Sequence, residues 1–230
     1  MRLNGIAAAA AALLVLGQGA LAFGTIHGLG QNAEHERITR HALACGASGL
    51  SPAQCFQPFS IDQLAGKSGT FGAVGAPDNP IRGLMDKIYA HCDNGDFMDK
   101  PGYPQSKTAA RQNLASCRSW MITNMNAAVA DSAAMLKNGK IDDSQIPTYI
   151  SCTFNGTKGR AKCNALEDFG LTLHASQDFY AHSNWTDHAA PQPISITNVP
   201  GLANSVPAPW IDPSLSVPFP EGLMTGCFIQ

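Results

Sequence analysis

The sequence predicts a mainly α fold, a helical bundle whose long loops are tied by disulfides. Three observations lead there. Apolar residues recur at helical spacing over residues 106–138, and no run of alternating apolar and polar residues is long enough for a substantial strand. Six of the seven cysteines fall into pairs close in sequence. With 230 residues the chain can bury one sizeable core, or at most two small ones.

The first element is an export signal. Arg2, the run IAAAAAALLVLG and the small-residue triplet Ala20-Leu21-Ala22 read as a signal peptide over residues 1–22. That apolar run is about twelve residues, short of the roughly 20 needed to span a bilayer. Cleavage near Ala22 makes the protein secreted or periplasmic, with Phe23 as its first residue. Disulfides are expected in such a compartment. Proximity pairs Cys45 with Cys55, Cys92 with Cys117, and Cys152 with Cys163, leaving Cys227 over.

A helix is expected through AEHERITRHALACG, stopped at Gly46. Residues 46–80 are rich in Gly, Pro and Ser and read as loops around one short helical turn. A second helix follows Pro80 through IRGLMDKIYAHC, and NGDFMDKPGYP is a turn-rich connector. Over residues 106–138, Leu114, Cys117, Met121, Met125, Val129 and Leu136 mark one apolar face. Trp120 joins Met121 and Met125 as expected core. A further helix covers Asn164 to Ser183, and beyond Ala190 the chain is Pro-rich and irregular. The formal net charge is −2 with only 14 % charged residues, which gives no basic face for duplex nucleic acid.

The chemistry concentrates in LHASQDFYAHSNW, which spaces His174, Asp178 and His182 four residues apart. Four residues advance a helix by about 400°, so the three share nearly one face. His174 and Asp178, with Cβ atoms roughly 5–6 Å apart, can share an ion. His182 lies about 12 Å along the axis from His174. Asp178, with two oxygens, suits a bridge between neighbouring metals about 3.5–4 Å apart. Alternatively, Asp178 merely orients or neutralises one histidine. His35-Glu36 does not open an HExxH motif, because the next histidine is His41. His27 and His41 read as surface or packing residues, and His188 as either a spare ligand or an exposed loop residue. Phe179, Tyr180 and Trp185 either line a substrate mouth or pack against a neighbouring helix. The sequons at Asn155 and Asn184 matter only in a host that glycosylates.

Taken together, His35 in AEHERITRHAL, Pro77-Asp78, His91 in IYAHCDNGDF and the His174–Asp178 pair resemble the zinc-dependent phospholipase C and single-strand nuclease superfamily. The segment LHASQDFYAHSNW looks most like the branch that includes fungal heterokaryon-incompatibility protein C and related bacterial phospholipases. The resemblance covers most of residues 23–188 and implies a phospholipase C-like fold. It implies that Asp78, His91, His174 and Asp178 hold one zinc. Phe23, through its terminal amine and carbonyl, would hold a second with His35 and a bridging Asp178. A third zinc would start from His182 or His188, but no histidine follows His188 and Glu221 is the only later glutamate. That departure, with the leftover Cys227, implies a shortened member of the family, or a two-zinc enzyme.

The domain layout that follows is residues 1–22 as signal, 23–190 as a helical metal-binding domain and 191–230 as a Pro-rich extension packed on it. The implied function is a secreted phosphodiester hydrolase, a phospholipase C acting on phosphatidylcholine-like lipids through a zinc-activated water, with Asp78 as its catalytic residue. The implied partner is a phospholipid or membrane-surface substrate, and no stable protein partner is implied. Two other readings stand beside it: a non-catalytic, metal-stabilised secreted interaction protein, and a single-strand nuclease.

Overall fold

A computed structural model describes residues 23–28, 31–46, 49–195, 198–212 and 216–226. The expected signal peptide and Cys227 lie outside the described residues. Five α-helices make up most of the regular structure: α1 (Glu34–Leu43), α2 (Pro58–Ala65), α3 (Ile88–His91), α4 (Lys107–Ala133) and α5 (Ala161–His182). Two small antiparallel hairpins accompany them, β1–β2 (His27–Gly28 with Gln31–Asn32) and β3–β4 (Leu136–Lys137 with Lys140–Ile141). The expected mainly α architecture holds, and all three expected disulfides form, with Cα–Cα distances of 4.9, 5.0 and 5.3 Å.

The long helices α4 and α5 pack together and organise the rest. α4 starts where the Ser106 hydroxyl accepts the Ala109 N–H at 3.2 Å, an ordinary N-cap. α5 lacks a side-chain cap from Arg160. Instead Gln145 Oε1 accepts the Ala161 N–H at 2.9 Å, satisfying a donor the helix itself leaves open. Between the helices, Leu114, Cys117 and Met121 of α4 meet Ala175 and Phe179 of α5, all buried. Trp185, Trp210 and Leu223 complete that cluster, so the Pro-rich extension packs into the same core as the helices. Phe179 and Trp185 are thus core residues, and Tyr180 packs against them. Asn184 anchors the extension, donating to the Pro200 and Gly222 carbonyls and accepting the Met224 N–H. At 1 % exposure with its amide engaged, Asn184 is closed to glycosylation.

Two expectations change. The helix after Pro80 is not continuous: a 3-10 turn, Pro80–Arg82, ends at Gly83, and only Ile88–His91 is α-helical. Gly83 adopts φ 68°, a left-handed conformation that interrupts a right-handed helix. The apolar stripe of α4 is also shorter than its sequence period suggests. Leu114, Cys117 and Met121 are buried, but Val129 is 64 % exposed and Leu136, already in β3, is 52 % exposed. The last turns of α4 leave the core and border an open cavity, which Met125 and Val129 line. Trp120 sits only partly buried at the core margin.

Three devices carry the smaller elements onto the α4–α5 pair. Arg82 pairs with Glu167 at 3.0 Å, and the Cys92–Cys117 disulfide fastens the end of α3 to α4. Gly170 lets residues 73–78 lie directly on α5, since a Cβ there would come within 2.5 Å of the Ala73 carbonyl carbon. Trp210→Ala is expected to cost about 3–5 kcal/mol, as for other large aromatic truncations in cores. Urea unfolding should show that loss in a single transition. Two separate transitions would mean that the extension is not part of the helical core.

Candidate metal centre

The site is built around Asp178, on the inward face of α5 and 1 % exposed. One turn earlier on the same helix, His174 places Nε2 2.9 Å from Asp178 Oδ2. α3 delivers His91, whose Nδ1 lies 2.9 Å from Asp178 Oδ2 and 3.0 Å from His174 Nε2. α1 delivers His35, whose Nε2 lies 3.2 Å from the other oxygen, Asp178 Oδ1. Asp78 closes the 3-10 turn Ala76–Asp78, with Oδ1 3.6 Å from His174 Nε2 and 3.8 Å from His91 Nδ1. Residues 78, 91, 174 and 178 therefore converge, and His35 joins them with its ring stacked on His174 at 4.3 Å between centroids.

Each placement has a local cause. Glu34, at the start of α1, accepts the Gly24 N–H at 3.0 Å and the Asn32 N–H, folding residues 23–25 back onto the helix. That puts the Phe23 ring edge-on to His35 at 6.2 Å between centroids, and lets the Thr25 hydroxyl donate to Asp78 Oδ2. The Ala73 and Val74 N–H groups bond to the Gln63 and Leu64 carbonyls, which aims the Val74 carbonyl at His174.

The outer nitrogens of the three histidines decide what the inner ones can do. His174 Nδ1 faces the Val74 carbonyl at 2.8 Å, and His91 Nε2 faces the Leu84 carbonyl at 3.2 Å. His35 Nδ1 faces Gln177 Oε1 at 2.8 Å, while Gln177 Nε2 donates to the Thr39 hydroxyl. An oxygen acceptor requires the outer nitrogen to carry the hydrogen, so each neutral imidazole turns a lone pair toward Asp178. Three lone pairs and two carboxylates then face one another across about 3 Å, which is repulsive unless protons or a metal ion lie among them. His35 Nε2 and Asp178 Oδ1 are both buried and have only each other, 3.2 Å apart, for a partner. Ligating histidines characteristically give their second nitrogen to a carbonyl or carboxylate in this manner.

The protonation energetics follow. Burial opposes a charged His35 and a charged His91, but the Asp178 carboxylate outweighs it and raises both above the ordinary histidine value. Burial dominates at His174 and pushes it down. Burial also opposes the Asp178 carboxylate, yet the three imidazoles hold its pKa well below the usual range. Metal binding would replace the protons that His35 and His91 otherwise attract.

The donor set fits a metal ion. Two groups of side chains offer converging ligand atoms: His91, His174 and Asp178, and His35, Asp78 and His174. Tetrahedral zinc, with bonds near 2.0–2.1 Å, separates its ligands by about 3.3 Å, within the range of 2.9 to 3.8 Å spanned here. Asp178 turns Oδ2 to His91 and His174 and Oδ1 to His35.

His182 stands apart from these groups. Its Nδ1 lies 2.5 Å from Asp93 Oδ1, and this partner raises its pKa against the opposing effect of burial. His27, His41 and His188 are exposed. The sequence reading missed Thr25, Thr39, Asp93 and Gln177. Of these, only Gln177 carries a signal, its place beside Asp178 on a helix already marked for ligation.

Zinc added to the full chain is expected to raise Tm, and a chelator to reverse the rise. Asp178→Asn should reduce the shift, since the group with His91 and His174 loses its carboxylate, and His174→Ala, which takes a ligand from both groups, should remove most of it. An unchanged shift in His174→Ala would place the bound metal elsewhere. Gln177→Met, which frees His35 Nδ1 from its acceptor, should weaken zinc affinity about 10–100-fold in competition with a chelating dye. Comparison of the chain with family models, with curated proteins and with solved structures finds no match.

Proposed function

We propose that this chain is a secreted, zinc-dependent phosphodiester hydrolase with a phospholipase C-like fold, acting on phosphatidylcholine-like lipids. The observation that carries the reading is the convergence of three tautomer-fixed imidazoles with two carboxylates, all from the positions the family resemblance singles out. Zinc suits imidazole and carboxylate donors without a thiolate cluster. When bound, it lowers the pKa of water and withdraws charge from a phosphoryl oxygen.

The protein's own residues divide the remaining tasks. Asp78 is the most open member of the cluster: its side chain is 28 % exposed, against 10 % for His91 and 2 % for Asp178. Its Oδ1 turns toward His91 and His174, and its Oδ2 is held by Thr25. Asp78 can therefore stay with the cluster through one oxygen and receive the proton of an attacking water on the other. The water oxygen bonds to phosphorus as the ester P–O bond to the leaving alcohol breaks. Ile81 and Met85, shortly after Asp78, are 83 % and 57 % exposed. Exposed apolar side chains so close in sequence to the open carboxylate favour a lipid surface over a polyanionic strand. Export is supported by the three disulfides, and among the described residues no helix is long and apolar enough to cross a membrane.

A second reading, a non-catalytic metal-stabilised protein, draws on the burial of His35, His91, His174 and Asp178, as in closed structural sites. Asp78→Asn separates the two. On the hydrolase reading it folds, and phosphocholine release from mixed micelles falls by at least about 100-fold, the scale of a lost general base. Activity within a few-fold of wild type would refute the role of Asp78. Wild type that takes up zinc but releases nothing, and cleaves no single-stranded DNA in parallel, would favour the structural reading.

A further inference from the structure

A cavity of about 430 Å³ opens between α2, the end of α4, the 146–148 segment and the start of α5, within the size range of small-molecule pockets. Its walls are apolar: Met125, Val129, Met135, Ile146, Leu166 and Phe169. Lys162 is its one charged lining residue, and it is only 6 % exposed. Among the described residues no carboxylate pairs with the Lys162 ammonium and no hydrogen bond holds it. Its one close partner is the Phe59 ring, 5.0 Å from Nζ. Burial lowers the Lys162 pKa, as it must where no anion compensates.

An ammonium on a largely buried side chain, beside an apolar cavity, is unfavourable without an anion. The other basic side chains with a buried role have partners: Arg82 pairs with Glu167, Arg40 with Glu36 and Asp62. The cavity is also separate from the metal centre. Lys162 precedes His174 by twelve residues on the same helix, about 18 Å along its axis.

We propose that this cavity binds a single-chain carboxylate amphiphile, a fatty-acid anion, with its carboxylate on Lys162 and its chain against the α4 and α5 side chains. One ammonium matches one negative charge, and the cavity lacks the second cation that a dianionic phosphate would call for. Lysine presents a point charge rather than the planar fork with which arginine grips phosphate. The apolar walls continue to the exposed Val129, which gives the chain a way in. The inference stands independently of the hydrolase reading.

Calorimetric titration of the full chain with dodecanoate, below its micelle concentration, tests the proposal. Wild type should bind one dodecanoate per chain, and dodecan-1-ol at least tenfold more weakly. Lys162→Met should weaken dodecanoate at least tenfold while keeping zinc uptake. It removes an unpaired charge from a largely buried side chain, so it should melt no lower than wild type. Ser132→Trp, on the exposed rim, should block both ligands without touching the charge. Absence of saturable dodecanoate binding overturns the proposal, as does equal binding of the alcohol. So does a Lys162→Met variant that binds as wild type does.

Discussion

The constraint on which the structure turns is the burial of one carboxylate. Asp178 lies at the centre of the molecule, where an uncompensated anion would be prohibitively unfavourable. Its compensation comes from three separate parts of the chain: His35 from α1, His91 from α3 and His174 from its own helix. The polar centre therefore dictates which elements must meet, and the apolar clusters around it determine how closely. The long α4–α5 pair supplies the rigid frame, while the short elements are tied to that frame by the Arg82–Glu167 ion pair and the Cys92–Cys117 disulfide.

The arrangement also separates two kinds of role among the polar residues. His35, His174 and Asp178 are sealed, and their geometry is set by backbone carbonyls and by Gln177. Asp78 meets solvent, held by Thr25 from a segment that Glu34 folds into place. The centre thus has one open side and a fixed interior. The buried members hold position and charge, and the rim member can exchange with water.

Much of this was readable in the sequence where the signal was local. The His174–Asp178 spacing is a property of a single helix, and its consequence, a shared face, needs no tertiary information. The three disulfides followed from cysteines close along the chain. His35, Asp78 and His91 were placed by order and resemblance, and the fold brings them together. What the sequence did not disclose depends on long-range contact. Gly83 could have continued a helix but turns left-handed, and Val129 fits the α4 apolar period although the core ends before it. His182 shares the face of Asp178 but pairs with Asp93, 89 residues earlier in the chain. The carbonyls of Val74 and Leu84, which fix the tautomers, are invisible to any pattern of side chains.

Gly170 bears no functional group, yet it governs the distance at which residues 73–78 approach α5. Both the Val74 carbonyl behind His174 and the Asp78 carboxylate ride on that segment. Even a methyl group at position 170 would lift them together, so one steric contact links the tautomer of a sealed imidazole to the posture of the solvent-facing acid. Drift in descendants of this sequence is thus restrained at a silent position one helical turn from His174, and a change there would displace Val74 and Asp78 while leaving every histidine and carboxylate of the cluster in the primary structure intact.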